Sequence, residues 1–184
     1  MTKPRFLILL SVLALVAASA AAARHIVVIR GTNHADALTG TMAKDLVLAR
    51  GGDDAINALS GRDRIFAGPG NDIADGGPGN DFLNGGPGDD VLNGSDGNDF
   101  IRGRPGNDNV DGGSGDDRLF VGQGLDVENG GDGNDVLHSL AHDNQVDILD
   151  CGAGQDVVWL NANEKDTYVN CEVVRTVSPI PAGK

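Results

Sequence analysis

Asp stands at positions 36, 45, 54, 63, 72, 81, 90, 99, 108, 117, 126 and 135, twelve times at a spacing of nine without a miss. Gly lies two residues before it throughout, except in the first two units, where His34 and Ala43 stand instead. Two residues after it the column reads Leu38, Val47, Ile56, Ile65, Ala74, Leu83, Leu92, Ile101, Val110, Leu119, Glu128 and Leu137, apolar everywhere but Glu128. Three columns held in phase over so long a stretch specify a stack of like coils. One nine-residue unit cannot bury an apolar face alone, so neighbours must bury it.

Each unit divides into a turn and a short strand. In "GGPGNDFLN" (76–84) and "GGPGDDVLN" (85–93) the glycines allow positive φ or close chain approach, which a turn this tight requires. The other half is Asp, a variable residue, an apolar residue and a polar one. Side chains alternate along a strand, so Asp and the apolar residue share one side and the residue between them points away. The apolar side faces inward, and Asp therefore points inward too, at the edge of the turn.

An inward carboxylate in every unit is costly unless something neutralises it. The 14 Lys and Arg are outnumbered by 27 Asp and Glu, leave a net charge of −13, and do not follow the period. A metal ion answers the need. Stacked turns gather carboxylates and backbone carbonyls, a set of hard oxygen donors that suits Ca²⁺. Zinc and copper favour His or Cys, and the four His, at 25, 34, 138 and 142, lie off this column. The candidate ligands for several Ca²⁺ ions are Asp54, Asp63, Asp72, Asp81, Asp90, Asp99, Asp108, Asp117, Asp126 and Asp135. One apolar side chain per unit does not offset the entropy of ordering nine residues, so the metal-free chain is expected to be unfolded and ion binding to be inseparable from folding.

Composition narrows the function. So acidic a chain lacks the cations that phosphate contacts require, which argues against nucleic acid as a partner. There is no H-E-x-x-H and no G-x-S-x-G, and "SLA" between His138 and His142 supplies no Glu, so no enzyme is expected. Ice binding needs an outward ladder of Thr, but the third column (Asn33, Met42, Gly51, Ser60, Pro69, Pro78, Pro87, Asp96, Pro105, Ser114, Gln123, Asp132) contains none.

The units "GGPGNDFLN", "GGPGDDVLN", "GGSGDDRLF" and "GGDGNDVLH" follow G-G-x-G-x-D-x-(apolar)-x in full, and this signature resembles the repeats-in-toxin (hemolysin-type) calcium-binding nonapeptide family over residues 31–159. The resemblance implies an all-β fold, a right-handed parallel β-roll with two units per turn and Ca²⁺ between turns on both sides. Each ion would be shared by Asp of one unit and Asp two units on. One edge would then use Asp36, Asp54, Asp72, Asp90, Asp108 and Asp126, the other Asp45, Asp63, Asp81, Asp99, Asp117 and Asp135. The segment "DCGAGQD" with the later "NCE" resembles the C-terminal cap of exported bacterial proteins of this type. Units 31–66 lack most of the paired glycines, and their ions are expected to be weaker or absent.

The chain divides as a signal peptide (1–23), an N-terminal capping strand (24–30), twelve nonapeptide repeats (31–138), and irregular repeats with a C-terminal cap (139–184). Lys3 and Arg5, an apolar run from Phe6 to Ala18 and "SAAAA" are the three parts of a secretory signal, predicting a secreted, extracellular protein, at the cell surface in one reading, with no stable membrane insertion once the signal is cleaved. In an exported chain Cys151 and Cys171 are most simply a disulfide pinning the far cap. "SLA" (139–141) is an insertion that shifts the phase, after which Asp147 and Asp156 resume it; "TYVNCEVV" (167–174) reads as one strand. Glu128, on the apolar column, is expected to reach solvent through a bulge, or else to bind an ion. On the outside, Phe82 and Phe100 should lie ring beside ring with Arg64 and Arg118 flanking them, a candidate contact for a cell-surface or polysaccharide partner. The expectation is a calcium-folded, non-enzymatic structural, adhesive or surface module; the alternatives are a calcium-dependent carbohydrate- or ice-binding protein, or an accessory module of a secreted enzyme.

Overall fold

The computed structural model describes residues 26–141 and 143–178; the signal-peptide reading, His25 and His142 lie outside them. Among the described residues, seventeen short strands run from β1 (Val27–Arg30) to β17 (Val173–Val177). Odd-numbered strands form a nine-stranded sheet and even-numbered strands an eight-stranded one, each in sequence order. Every pairing is parallel. β7 (Phe82–Asn84) lies beside β9 (Phe100–Arg102), with Phe82 opposite Phe100 and Leu83 opposite Ile101. Two nine-residue units thus make one coil of a parallel β-solenoid of about eight turns.

The turns pair as the strands do. Gly79 N–H donates to the Asp96 carbonyl at 2.7 Å, and Gly97 N–H to that of Ser114 at 2.7 Å. Most backbone groups of successive coils are thereby satisfied by the backbone of the next coil, while the N–H groups of the periodic Asp go to side chains. Inside, the apolar column forms a double file. Val47, Ile65, Leu83, Ile101, Leu119, Leu137 and Val158 face in from the odd sheet, and Ile56, Ala74, Leu92, Val110 and Leu149 from the even sheet.

Glu128 corrects an expectation. It does not bulge outward. It sits in regular strand β12 (Val127–Asp132), in register with Val110 of β10 (Asn109–Ser114) and Leu149 of β14 (Ile148–Asp150). Pairing on both sides fixes which way every second side chain points, and a bulge would break both ladders. The carboxyl is 1% exposed with no hydrogen-bond partner on either oxygen. Burial, then the charges of Asp147, Asp126 and Asp166, hold its pKa well above the usual carboxylate value. Glu128→Leu replaces an unsatisfied acid by the residue the column otherwise favours. We expect it to raise thermal stability in calcium by about 1–3 kcal/mol; a lower melting temperature would contradict the placement.

The far end also differs from a single strand over 167–174. The chain makes β16 (Thr167–Val169) on the even sheet, turns at Asn170 with φ 55°, and returns as β17 on the odd sheet. Cys151 and Cys171 are bonded, 20 residues apart with Cα atoms 5.2 Å from each other, which pins this turn to the one after β14. For such a loop the chain-entropy estimate is about 3 kcal/mol. Reduction should therefore lower the melting temperature in calcium while leaving ion binding at the central coils intact; loss of both together would contradict a role confined to the cap.

Candidate metal centre

The strand alternation places every periodic Asp at the rim of the core, and the parallel register stacks them in two ladders. On one edge, the N–H of Asp36 donates to Oδ1 of Asp54 at 2.8 Å, and the pattern repeats from Asp54 to Asp72, Asp90, Asp108 and Asp126 at 2.8–3.0 Å. On the other, Asp45, Asp63, Asp81, Asp99, Asp117 and Asp135 are joined in the same way at 2.6–2.8 Å. The two edge sets are those implied by the family resemblance.

Each ladder carboxylate therefore has one oxygen engaged. From Asp54 to Asp135 the other is orphaned. Oδ2 of Asp54, Asp63, Asp72, Asp81, Asp90, Asp99, Asp108, Asp117, Asp126 and Asp135 is buried with no hydrogen-bond partner, and so is that of Asp156. A column of buried acceptors with nothing to accept is the unmet demand that a cation fills. Burial raises the pKa of Asp81, Asp90, Asp108, Asp117 and Asp126 to about 7, against the lowering effect of the backbone N–H bond, with neighbouring carboxylates adding to the rise. Asp63, Asp72, Asp99 and Asp135 are raised to about 6 and Asp54 upward, again chiefly by burial.

The donors fit calcium. No cluster of three or more His, Cys, Asp or Glu suited to a metal forms among the described residues. An ion on a ladder would take carboxylates of successive coils and complete its shell from backbone oxygens, the hard donor set of Ca²⁺. Bound there, it supplies the positive charge that the buried oxygens lack.

The glycine five residues before Asp closes each site. A Cβ on Gly85, Gly94, Gly103 or Gly112 would collide with Oδ2 of Asp90, Asp99, Asp108 or Asp117. Ala49, Ala58 and Ala67 occupy that place in the units of Asp54, Asp63 and Asp72. Arg50 and Leu59 also take the place of the second glycine in the left-handed region, at φ 86° and 72°. Both features weaken the early sites relative to the central ones.

Hydroxyls close the ladder ends. Oδ2 of Asp36 accepts from the N–H and hydroxyl of Thr32 at 2.6 and 2.9 Å. Asp45 accepts from the N–H of Thr41 at 2.5 Å and from its hydroxyl at 3.1 Å. Ser139 donates to Oδ2 of Asp147 and lies 3.2 Å from Oδ2 of Asp166. None of these ends leaves the orphan that marks the central ladder.

The ladders run beyond the ten predicted ligands. Asp126 N–H donates to Asp147 across the three-residue insertion, and Asp147 N–H donates to Asp166. Asp135 N–H reaches Asp156, whose own N–H reaches Glu172. Asp147 and Asp156 carry the resumed period and were legible from it. Asp166 and Glu172 are 19 and 16 residues from their ladder neighbours, so no fixed spacing finds them.

On the outer odd face, Phe82 and Phe100 do stack, with centroids 5.7 Å apart and planes at 12°. Arg64 stands in register with Phe82 and Arg118 with Phe100, flanking the pair as the column implies. The guanidinium groups lying over ring faces are those of Arg64, on Phe66 and Phe82, and of Arg102, 4.8 Å from Phe100 and 5.9 Å from Phe120. Residues one and three after Asp both point outward, so two columns interleave. The result is one run of rings, Phe66, Phe82, Phe100, Phe120, His138 and Trp159, with centroids 4.2–6.0 Å apart. No gap remains for a sugar or base to enter between rings, and the rings brace one another.

The family model described as "RTX calcium-binding nonapeptide repeat (4 copies)" matches the chain in seven overlapping stretches: 30–65, 48–83, 58–92, 66–101, 84–119, 93–128 and 120–158. No curated protein matches it. The matched stretches coincide with the ladder coils and cover more than half of the sequence, and the chain belongs to the RTX calcium-binding nonapeptide repeat family.

Proposed function

We propose that this chain is an exported structural module, without catalytic activity, whose fold is switched on by the calcium of the extracellular medium. The observation that carries this reading is the double column of orphaned Asp oxygens from Asp54 to Asp156. Such a chain is an extended coil where calcium is scarce and a rod where it is plentiful, which suits folding after export. The outer faces of that rod are its available surfaces for adhesion or assembly. A polysaccharide or cell-surface partner at Phe82 and Phe100 would meet ring edges and guanidinium groups, since the ring faces cover each other.

The test is the protein recovered from culture medium. Intact mass should show a start near Arg24 and one disulfide, and native mass spectrometry should show several bound calcium ions that magnesium does not replace. Uncleaved protein retained with the cells, or a folded chain carrying no calcium, would contradict the proposal.

A further inference from the structure

The two outer faces of the solenoid are chemically opposite. All Arg on described strands lie on the odd sheet: Arg30, Arg64, Arg102, Arg118 and Arg175. The even strands hold no Lys or Arg; their outer surface carries Asp75, Asp111 and Asp150 beside a stripe of Ile73, Val91, Val127 and Ile148. These four aliphatic side chains are 39–58% exposed. No described Arg is joined to a carboxylate by an ion pair, in a chain with 27 acidic residues.

The charge balance sharpens the contrast. Sixteen of the 27 acidic residues, from Asp36 to Glu172, stand on the two ladders. Once calcium neutralises the ladders, the eleven acids left over nearly match the 12 basic residues that remain when Lys3 and Arg5 leave with the signal, and the repulsion between copies largely disappears. What remains on the sheets is sorted, cations and rings on one face, carboxylates and aliphatics on the other. Both faces share the 18-residue coil, so their rows have the same pitch. Arg64 and Arg102 are two coils apart, as are Asp75 and Asp111. Laid face to face with axes aligned, guanidinium groups meet carboxylates while ring edges meet the aliphatic stripe. Parallel sheets, moreover, are rarely left uncovered on a face.

We propose that the odd-sheet face of one copy docks on the even-sheet face of a second copy, building a linear array of side-by-side rods. The contact is heterologous, so it propagates instead of closing. It rests on the reading that calcium folds the chain. A face of eight strands spans roughly 34 Å by 10 Å, which is small for a specific interface, so the pairwise contact is weak and salt-sensitive.

Analytical ultracentrifugation at high micromolar protein, low salt and millimolar calcium tests this, with circular dichroism on every sample. The wild-type chain should exceed monomer mass, increasingly with concentration, and return to monomer in molar salt. R64E/R102E and D75K/D111K should each weaken self-association at least about tenfold while keeping the β spectrum. Their mixture should regain assembly beyond a dimer, because each variant retains one intact face and the two reversed faces are again opposite in charge. R64Q/R102Q and D75N/D111N are the milder pairs if charge reversal disturbs folding. A folded wild-type chain that stays monomeric overturns the proposal, as do charge-reversed variants that still self-assemble or a mixture that does not pair. Binding of an acidic polysaccharide to a monomeric chain through Arg64 and Arg102 would likewise overturn it. A chain that fails to fold in calcium would instead refute the calcium reading, an outcome the spectrum distinguishes.

Discussion

Asp90→Ala and Asp99→Ala each shift the calcium midpoint of folding upward by about tenfold or more, whereas Asp36→Ala leaves it nearly unchanged. The central residues each face a coil on either side, so each loss removes a charged ligand from two sites, and a charged hydrogen-bonding partner is worth about 1.5–3 kcal/mol. Both stand in units whose glycines, Gly85 and Gly94, let the carboxylate approach the backbone, and both leave Oδ2 unsatisfied. Asp36 ends its ladder and already has Thr32 on Oδ2. Asp99→Asn separates charge from geometry, because an amide oxygen can still accept from Asp81 N–H as Oδ1 does at 2.7 Å. The asparagine variant should retain part of the fold at saturating calcium but still show the raised midpoint. Equal shifts at positions 36, 90 and 99 would contradict the grading of the ladder.

Acid should substitute in part for calcium. In the ion-free coil Asp63, Asp72, Asp81, Asp90, Asp99, Asp108, Asp117, Asp126 and Asp135 have pKa values raised to about 6–7, mainly by burial, while the unfolded chain keeps them near 3.8. The ion-free folded state thus holds protons that the unfolded state releases. Its stability is greatest below about pH 4 and is lost as pH rises through 6–7. Two consequences can be measured. Ion-free protein should gain β signal as pH is lowered from 8 towards 5, and the calcium midpoint should rise over the same interval because protons compete for the same oxygens. A midpoint independent of pH between 8 and 6 would show that the ladder is not the binding site.

The coil was legible because its cause is local and repeated. Asp, Gly and the apolar residue recur every nine positions, and stacking converts that period into two sheets and two ladders without further information. Interruptions were legible only where the period survived them, as at Asp147 and Asp156. At Asp166 and Glu172 the spacing leaves the period, 19 and 16 residues from their ladder neighbours, so counting failed; the turn at Asn170 also makes two strands where one was read. Glu128 was misplaced because its polarity argued for solvent, whereas the pairing of β10, β12 and β14 decides its direction irrespective of polarity. The ring ladder was half visible. Phe82 and Phe100 share a column, but Phe66 and Phe120 join them from the column two residues on, an adjacency that needs the pleat as well as the period. Of the hydroxyl ends, Thr32 and Thr41 keep the period, nine apart and four before Asp36 and Asp45 in the column that Gly77 and Gly86 later fill, whereas Ser139 falls in the insertion and left no periodic mark.

Calcium titration of the mature chain, followed by far-ultraviolet circular dichroism, tests the central claim that a cation on the Asp ladders holds the coils together. At pH 8 in excess chelator the spectrum should be that of a coil. A β spectrum should appear cooperatively as calcium is added, with a midpoint on the order of 10⁻⁴–10⁻³ M, typical of extracellular modules, and magnesium should replace it poorly. A full β spectrum in excess chelator at pH 8 would contradict the account.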